Sequence, residues 1–358
     1  MIKIFFLILY ILILVMTLKA SSQKKTKKRG GNISENFNQK RNNISKKIEH
    51  CNKVLIKNEN LCNCRDQNGR LEKNFNNCSS KKNYDKNKCE EYKKCRKMFS
   101  NYMSNYEPQY TPENWNHPYI KESHNCYTYF LNDHIKEVAK KCKSLCLEKH
   151  KNKCPKKTKK CSNLKPQPGD WAELKGYIKT NRKYTCPDMN YKILADNLDI
   201  NYSDNSAVYY KNSENINNNN INPLLNTNKP RRKSIKIQNN NQNNQNNFII
   251  DKNNNKKKSI IFPVKFNQKC PPNHYKGALV IDSNKTYHFY RQDSNGRFSH
   301  KPGTLNVENL DASNNPIYAV HLADTDYNKN NRPNGITYDK FCSYYCVPNG
   351  DYKKTRAI

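Results

Sequence analysis

The stretch GALVIDSNKTYHFYRQDSNGRFSHKPG, residues 277–303, decides the fold class. Residues 276–282 are a short apolar run, Ser283-Asn284-Lys285 has turn chemistry, and residues 286–293 alternate aromatic and polar side chains. This is the pattern of two antiparallel strands. A second turn at Ser294-Asn295-Gly296 sends the chain back through RFSHKPG. Side chains alternate across a strand, so a three-residue loop puts Tyr290 opposite His300 and His288 opposite Pro302, all on one face. An antiparallel sheet with a histidine on each of two neighbouring strands is the expectation.

Upstream, residues 125–150 (NCYTYFLNDHIKEVAKKCKSLCLEKH) place Tyr129, Phe130, Ile135, Val138, Cys142, Leu145 and Cys146 at three-and-four spacing. That predicts an amphipathic helix with a break near Asn132, opened by Asn125 as its N-cap. The lysine-rich tail through Lys160 reads as an extended, solvated insertion, and PQPGDW at 166–171 as a turn feeding an apolar segment. Residues 211–257 hold 19 Asn in 47 positions and form a low-complexity loop, its Arg231-Arg232-Lys233 cluster a solvated charge run. At the other end, FCSYYCVPNGDY supplies Cys342 and Cys346 to pin the last segment.

The N-terminus carries a nearly unbroken apolar run from Ile4 to Leu18, followed by Lys19 and Ala20. It is short for a spanning helix, which needs about 20 residues, and reads as a secretory signal or an uncleaved anchor. Export gives meaning to the 15 cysteines, since an oxidising compartment lets them pair. An odd number leaves at least one unpaired within the monomer. A zinc site is the competing use, but C-x-C and C-x3-C spacings lack the paired knuckles such sites use, so no metal and no cofactor is expected.

The organisation follows: a signal at 1–20, a disordered basic arm at 21–48, a cysteine-rich helical module at 49–104, one core part with its insertion at 105–205, the low-complexity loop at 206–261, and a second core part at 262–358. Across the 358 residues, 65 Lys+Arg against 30 Asp+Glu give a net charge of +35, with 35% apolar residues and 10 Gly. A multi-span membrane protein, a collagen and a glycine-rich nucleotide-binding fold are excluded. The charge favours anionic partners such as sulfated glycans or acidic lipid surfaces. Nucleic acid is disfavoured, because much of the charge is lysine-asparagine filler in an exported chain rather than an Arg and aromatic platform.

Among chemistry-bearing residues, Cys126 opens the predicted helix, where a helix N-terminus and a nearby imidazole would lower its thiol pKa. His288 and His300 offer that imidazole. The third, orienting group comes from the other histidine, Asn309 or Asp311. His124 and His134 read as surface residues, Asp170 as a turn or capping residue, and Arg291 with Asp293 as an exposed strand pair.

The order NCYTYF (125–130), QPGD (167–170), GALVID (277–282) and YHFYRQDSNGRFSHKPG (287–303) resembles the papain-like architecture of bacterial NlpC and CHAP-type amidases. The resemblance spans residues 105–205 and 262–350. It implies an α+β fold, with a papain-like core of an N-terminal helix packed on an antiparallel sheet, preceded by the small disulfide-rich helical module. It also implies Cys126 as nucleophile, His288 as general base and His300 as the orienting residue. Two features depart from the family: the long separation between Gly169 and GALVID, and Tyr127 and Thr128 where small residues usually follow the nucleophile. The expected function is a secreted cysteine amidohydrolase or peptidase acting by thiol acyl transfer on a peptide or amide. The alternative is a non-catalytic secreted binding or structural protein.

Overall fold

A computed structural model describes residues 38–62, 85–150, 159–179, 183–198, 248–250, 256–283, 285–329 and 335–349. The apolar N-terminal run and the Arg231-Arg232-Lys233 cluster lie outside them. The chain divides into two compact units, residues 1–88 and 89–358.

Among the described residues of the first unit, a helix, α1, covers residues 38–62 and buries Ile48, Cys51, Leu55 and Cys62 along one stripe. Residues 38–48 of the expected disordered arm are therefore helical. A helix nucleated by the buried stripe propagates backward through Lys, Gln and Asn, since extending a formed helix is easier than starting one.

The second unit contains α2 (Lys86–Ser100, which begins just before the division), α3 (Pro112–Asn116), α4 (Pro118–Ser123), α5 (Cys126–Phe130), α6 (Lys136–His150), α7 (Lys159–Ser162), α8 (Asp170–Leu174) and α9 (Cys186–Asp196). Its strands are β1 (Phe248–Ile250), β2 (Lys256–Lys258), β3 (Phe262–Val264), β4 (His274–Asp282), β5 (Thr286–Gln292), β6 (Phe298–His300) and β7 (Lys340–Pro348). The fold is α+β, with a five-stranded antiparallel sheet ordered β3-β7-β4-β5-β6. β1 and β2 pair separately inside what reads as low-complexity sequence.

The hairpin register is the expected one, with Tyr290 opposite His300. Gly296 takes a φ of 82° in the connecting turn. GALVID forms β4, so the strand preceding the histidine comes from beyond the Asn-rich segment. PQPGD instead runs into helix α8.

The predicted helix from Cys126 does break at Asn132. Asn132 takes φ 49°, its N–H bonds Tyr129 O at 2.9 Å and the Asp133 N–H bonds Thr128 O at 2.9 Å. These are the paired bonds of a Schellman cap, with Asn in the left-handed position that it tolerates better than most residues. The helix resumes as α6, and the Cys142–Cys161 bridge ties it to α7, while residues 151–158 of the expected lysine-rich insertion lie outside the described residues.

α5 packs on the sheet through Tyr127 and Phe130, whose rings lie 5.3 and 4.7 Å from that of Phe289. Strand alternation puts Tyr275, Leu279 and Ile281 of β4 and Tyr345 and Val347 of β7 in the same buried cluster, together with Met189 and Ile193 of α9. The opposite face is covered by Phe99 and Phe266 and by residues of the segments 301–329 and 335–339, with Phe266 5.4 Å from Tyr344. β7 skips a residue against β4 between Leu279↔Ser343 and Val280↔Phe341, leaving Cys342 unpaired in the ladder and bridged to Cys186 at the start of α9. A bulge re-aims one side chain in this way. A second bridge, Cys270–Cys346, holds β7 from the other side.

Gly277 lies directly beneath the Phe130 ring, and any Cβ there would overlap it. Since Phe130 is fully buried and cannot swing away, Gly277→Ala should destabilise the fold by about 1–3 kcal/mol. Chemical denaturation of the disulfide-intact protein measures this directly.

Candidate active site

The first turn of α5 is built by Asn125. Its Oδ1 accepts the N–H groups of Tyr127 and Thr128, each at 3.1 Å, while Thr128 Oγ1 accepts the Asn125 N–H at 3.1 Å. This capping box gives Thr128 a structural purpose where the resembled family has a small residue. Tyr127 has one too, since its hydroxyl donates to Asp196 Oδ2 at 2.9 Å. Asp196 also accepts the N–H groups of Gly169 (2.6 Å) and Ala172 (2.9 Å), and so caps α8, whose own N-cap glycine has no side chain. Asn125 Nδ2 donates to Pro166 O at 2.7 Å, which ties the PQPGD turn beside Cys126.

Cys126 is 6% exposed. Among the described residues ten cysteines are in disulfides and Cys126 is free. That is the pairing of a chain folded in an oxidising compartment. No described helix is long and apolar enough to cross a membrane.

His288 and His300 come together as the hairpin predicts, Nε2 of the first 2.8 Å from Nδ1 of the second. His300 Nε2 lies 3.1 Å from Leu310 O, and a carbonyl can only accept. The proton of a neutral His300 therefore sits on Nε2, its Nδ1 accepts from His288 Nε2–H, and the free basic lone pair of His288 is on Nδ1. Tyr327 hydroxyl completes the shell of His300 at 3.2 Å, and the Tyr338 ring stacks on His288 at 5.2 Å.

The group bonded to His288 is thus the other histidine, and His300 is in turn held by the Leu310 main chain, one residue from each of the other two candidates, Asn309 and Asp311. Asp311 is engaged otherwise, accepting the N–H groups of Ser313, Asn315 and Asp324 to close a loop.

No hydrogen bond joins Cys126 to either imidazole. Phe289 belongs to the α5-side core, so alternation sends His288 to the other face of β5 from the cluster that holds Cys126. The two share neighbours. Lys301 acts electrostatically on both Cys126 and His288, and Tyr338, stacked on His288, feels the charge of Cys126.

The thiol differs from expectation. Burial pushes Cys126 up to about 11, against the N–H groups of Phe289, Cys126 and Tyr127 and the Lys301 ammonium, which favour the thiolate. A five-residue helix sums too few peptide dipoles to offset that desolvation. His288 is held well below its ordinary value by burial, with His300 and Lys301 adding to the effect. The resting pair at neutral pH is a thiol and a neutral imidazole.

Three further expectations are corrected. His124 is fully buried rather than on the surface: it accepts the Ile135 N–H on Nε2 at 3.0 Å, and its Nδ1 lies 2.9 Å from Ser123 Oγ. His134 is half-buried, its ring 3.9 Å from that of Trp115. Arg291 and Asp293 form a fully buried ion pair at 2.9 Å, with Arg291 also donating to Asn132 Oδ1 and Tyr129 hydroxyl, so the pair ties β5 to the end of α5. The turn reading of Asp170 agrees with its carboxylate accepting the Gln167 N–H at 2.6 Å.

No model of a known protein family matches the chain, and no solved structure matches it. A 47-residue stretch, 13% of this chain, is 47% identical to insoluble matrix shell protein 1 of Ruditapes philippinarum. The stretch spans 32% of that relative.

Burial pulls His124 down to about 3, with His134 and Lys301 adding. The folded chain refuses a proton that the unfolded chain accepts below about pH 6.5, so this contribution is present at neutral pH and lost on acidification. Between pH 7 and pH 5 it amounts to about 2 kcal/mol. Urea denaturation at the two pH values should show His124→Gln less acid-sensitive than wild type by that amount.

Proposed function

We propose that this chain is a secreted cysteine-dependent amidohydrolase or peptidase with a papain-like core. The observation that carries the reading is Cys126, a free thiol among bridged cysteines, at the start of a helix packed on the sheet whose strands β5 and β6 bear the His288–His300 pair. The reaction is acyl transfer. As the thiol approaches an amide carbonyl, its proton passes to His288 Nδ1 and the S–C bond forms. The N–H groups of Cys126 and Phe289 face the negative charge that then appears on the oxygen. Collapse breaks the C–N bond, His288 returns its proton to the leaving amine, and water cleaves the thioester to release the acid and the thiol. Because the resting pair is neutral, His288 acts as a general base at the moment of attack rather than as half of a standing ion pair. His300, anchored on Leu310 O, keeps the Nδ1 lone pair free for this.

A second reading has its own support, namely the short likeness to a shell matrix protein and the net charge of +35. It makes the chain an extracellular structural or binding protein for an anionic glycan or lipid surface. One experiment separates the two. The natively secreted protein is incubated with p-nitrophenyl acetate and then, separately, with iodoacetamide without reductant, followed by peptide mapping. The hydrolase reading expects an acetyl group on Cys126, turnover that His288→Ala lowers by about 10²–10⁴-fold, and alkylation of Cys126 that rises with pH to a midpoint above the free-thiol value of about 8.5. A disulfide-linked Cys126 peptide, or Cys126 unacylated in folded protein, ends it and leaves the structural reading.

A further inference from the structure

The two sides of α6 differ sharply. Cys142 is fully buried and bridged to Cys161, with Tyr119 and Leu164 packed on the pair, and Val138, Ala139 and Leu145 are half-buried. Lys136, Glu137, Lys140, Lys141, Lys143 and Ser144 are exposed. Lys136, Lys140 and Lys143 stand at i, i+4 and i+7, a single row on the solvent side of the helix, about 10 Å long. Lys141 lies beside it. None of these four ammonium groups has an ion-pair or hydrogen-bond partner among the described residues. Glu137 belongs to the first turn, where a carboxylate favours the helix dipole. On α2 the equivalent row of Lys86, Glu90, Lys93 and Lys97 is broken by an acid, and Lys93 pairs with Glu90 at 3.0 Å.

We propose that the solvent side of α6 is a docking surface for a sulfated polysaccharide. The assignment rests on the second reading above, whose partner and place of contact it specifies, and it is independent of Cys126. Like charges at this spacing repel one another along a helix, and a polyanion lying on the row removes that cost. A convex row has no convergent donors to enclose one small anion, so it fits a chain whose charges repeat. A glycan with one carboxylate per two sugars meets the row with a single charge, whereas a densely sulfated one meets each lysine. A helix that lies in a bilayer interface needs an exposed apolar face, and the apolar side of α6 is covered by Tyr119, Leu164 and the bridge. Single-stranded nucleic acid is held by stacking on aromatic rings and by arginine, neither of which the exposed side of α6 offers. The bridge at Cys142 fixes the helix from behind, so the row is presented without the cost of ordering a loop.

The test is the Kd for heparin over a series of NaCl concentrations, measured on the natively secreted, full-length, disulfide-intact protein. Lys136→Gln/Lys140→Gln/Lys143→Gln is compared with wild type and with a control that removes equal charge from other exposed sites, Lys265→Gln/Lys269→Gln/Lys340→Gln. Glutamine keeps the helix propensity of lysine, so the α6 variant folds. Counterion release predicts that it lowers the slope of log Kd against log salt by about 2 and weakens binding about tenfold or more near physiological salt, while the control stays close to wild type. Equal losses in the two variants, or no loss in either, overturn the proposal and assign the affinity to net charge, leaving the second reading intact. Failure of wild type to bind heparin overturns the proposal and the glycan partner of that reading together. Hyaluronan, which carries carboxylates without sulfate, and vesicles of phosphatidylcholine and phosphatidylserine are run beside heparin. Binding of hyaluronan as tight as that of heparin, or an equal dependence of vesicle binding on the α6 lysines, overturns the choice of a sulfated glycan.

Discussion

The Phe130 ring lying over Gly277 is the contact on which the second unit depends. Without a side chain at 277, α5 comes close enough for Phe130 and Tyr127 to reach Phe289 on the next strand, and the main cluster closes around them with Tyr345 and Leu279. Close packing of this kind tolerates neither added nor missing volume. It also sets the height of α5 above the sheet, and with it the position of Cys126 at the helix start. The capping box at Asn125 and the Schellman cap at Asn132 bound the helix at five residues, so that a short, rigid element rather than a long one presents the thiol.

Polar anchoring then supplies what the apolar core cannot, which is direction. Asp196 gathers Tyr127, Gly169 and Ala172, Arg291 joins Asp293 to Asn132 and Tyr129, and Lys301 gathers Lys121, His124 and Gly303. Each is a buried charged group with its hydrogen-bonding capacity directed at specific partners, the condition under which burying charge is tolerated. All three converge on the two ends of α5 or the segment entering it. The disulfides act further out, Cys186–Cys342 and Cys270–Cys346 holding β7 and Cys142–Cys161 closing the insertion. The one free thiol of the described residues sits where the polar anchors meet.

Electrostatics at that point follow from burial. A desolvated thiol and a desolvated imidazole both prefer to be neutral, so any thiolate has to be created by a base and held by local positive charge. The histidine pair has its proton order imposed by Leu310 O, and Lys301 spends its N–H bonds on three main-chain carbonyls.

Much of this was legible in the chain. The period-two aromatic pattern at 286–293, the Ser-Asn-Gly turn and the helix-period residues after Asn125 determined two strands, their register and a helix broken at Asn132, because such signals are local and backbone geometry converts them directly into structure. Cys126, His288 and His300 stood out for the same reason. Other features depended on residues far apart in sequence. Nothing near Arg291 says that its ion pair is buried, nothing near Lys301 says that three carbonyls await it, and nothing near Cys126 says that burial outweighs its helix. Solvation is a property of the assembled neighbourhood. Which cysteines pair, which charges lose their water and which main-chain carbonyl orients His300 were therefore decided only when the strands and helices closed over one another.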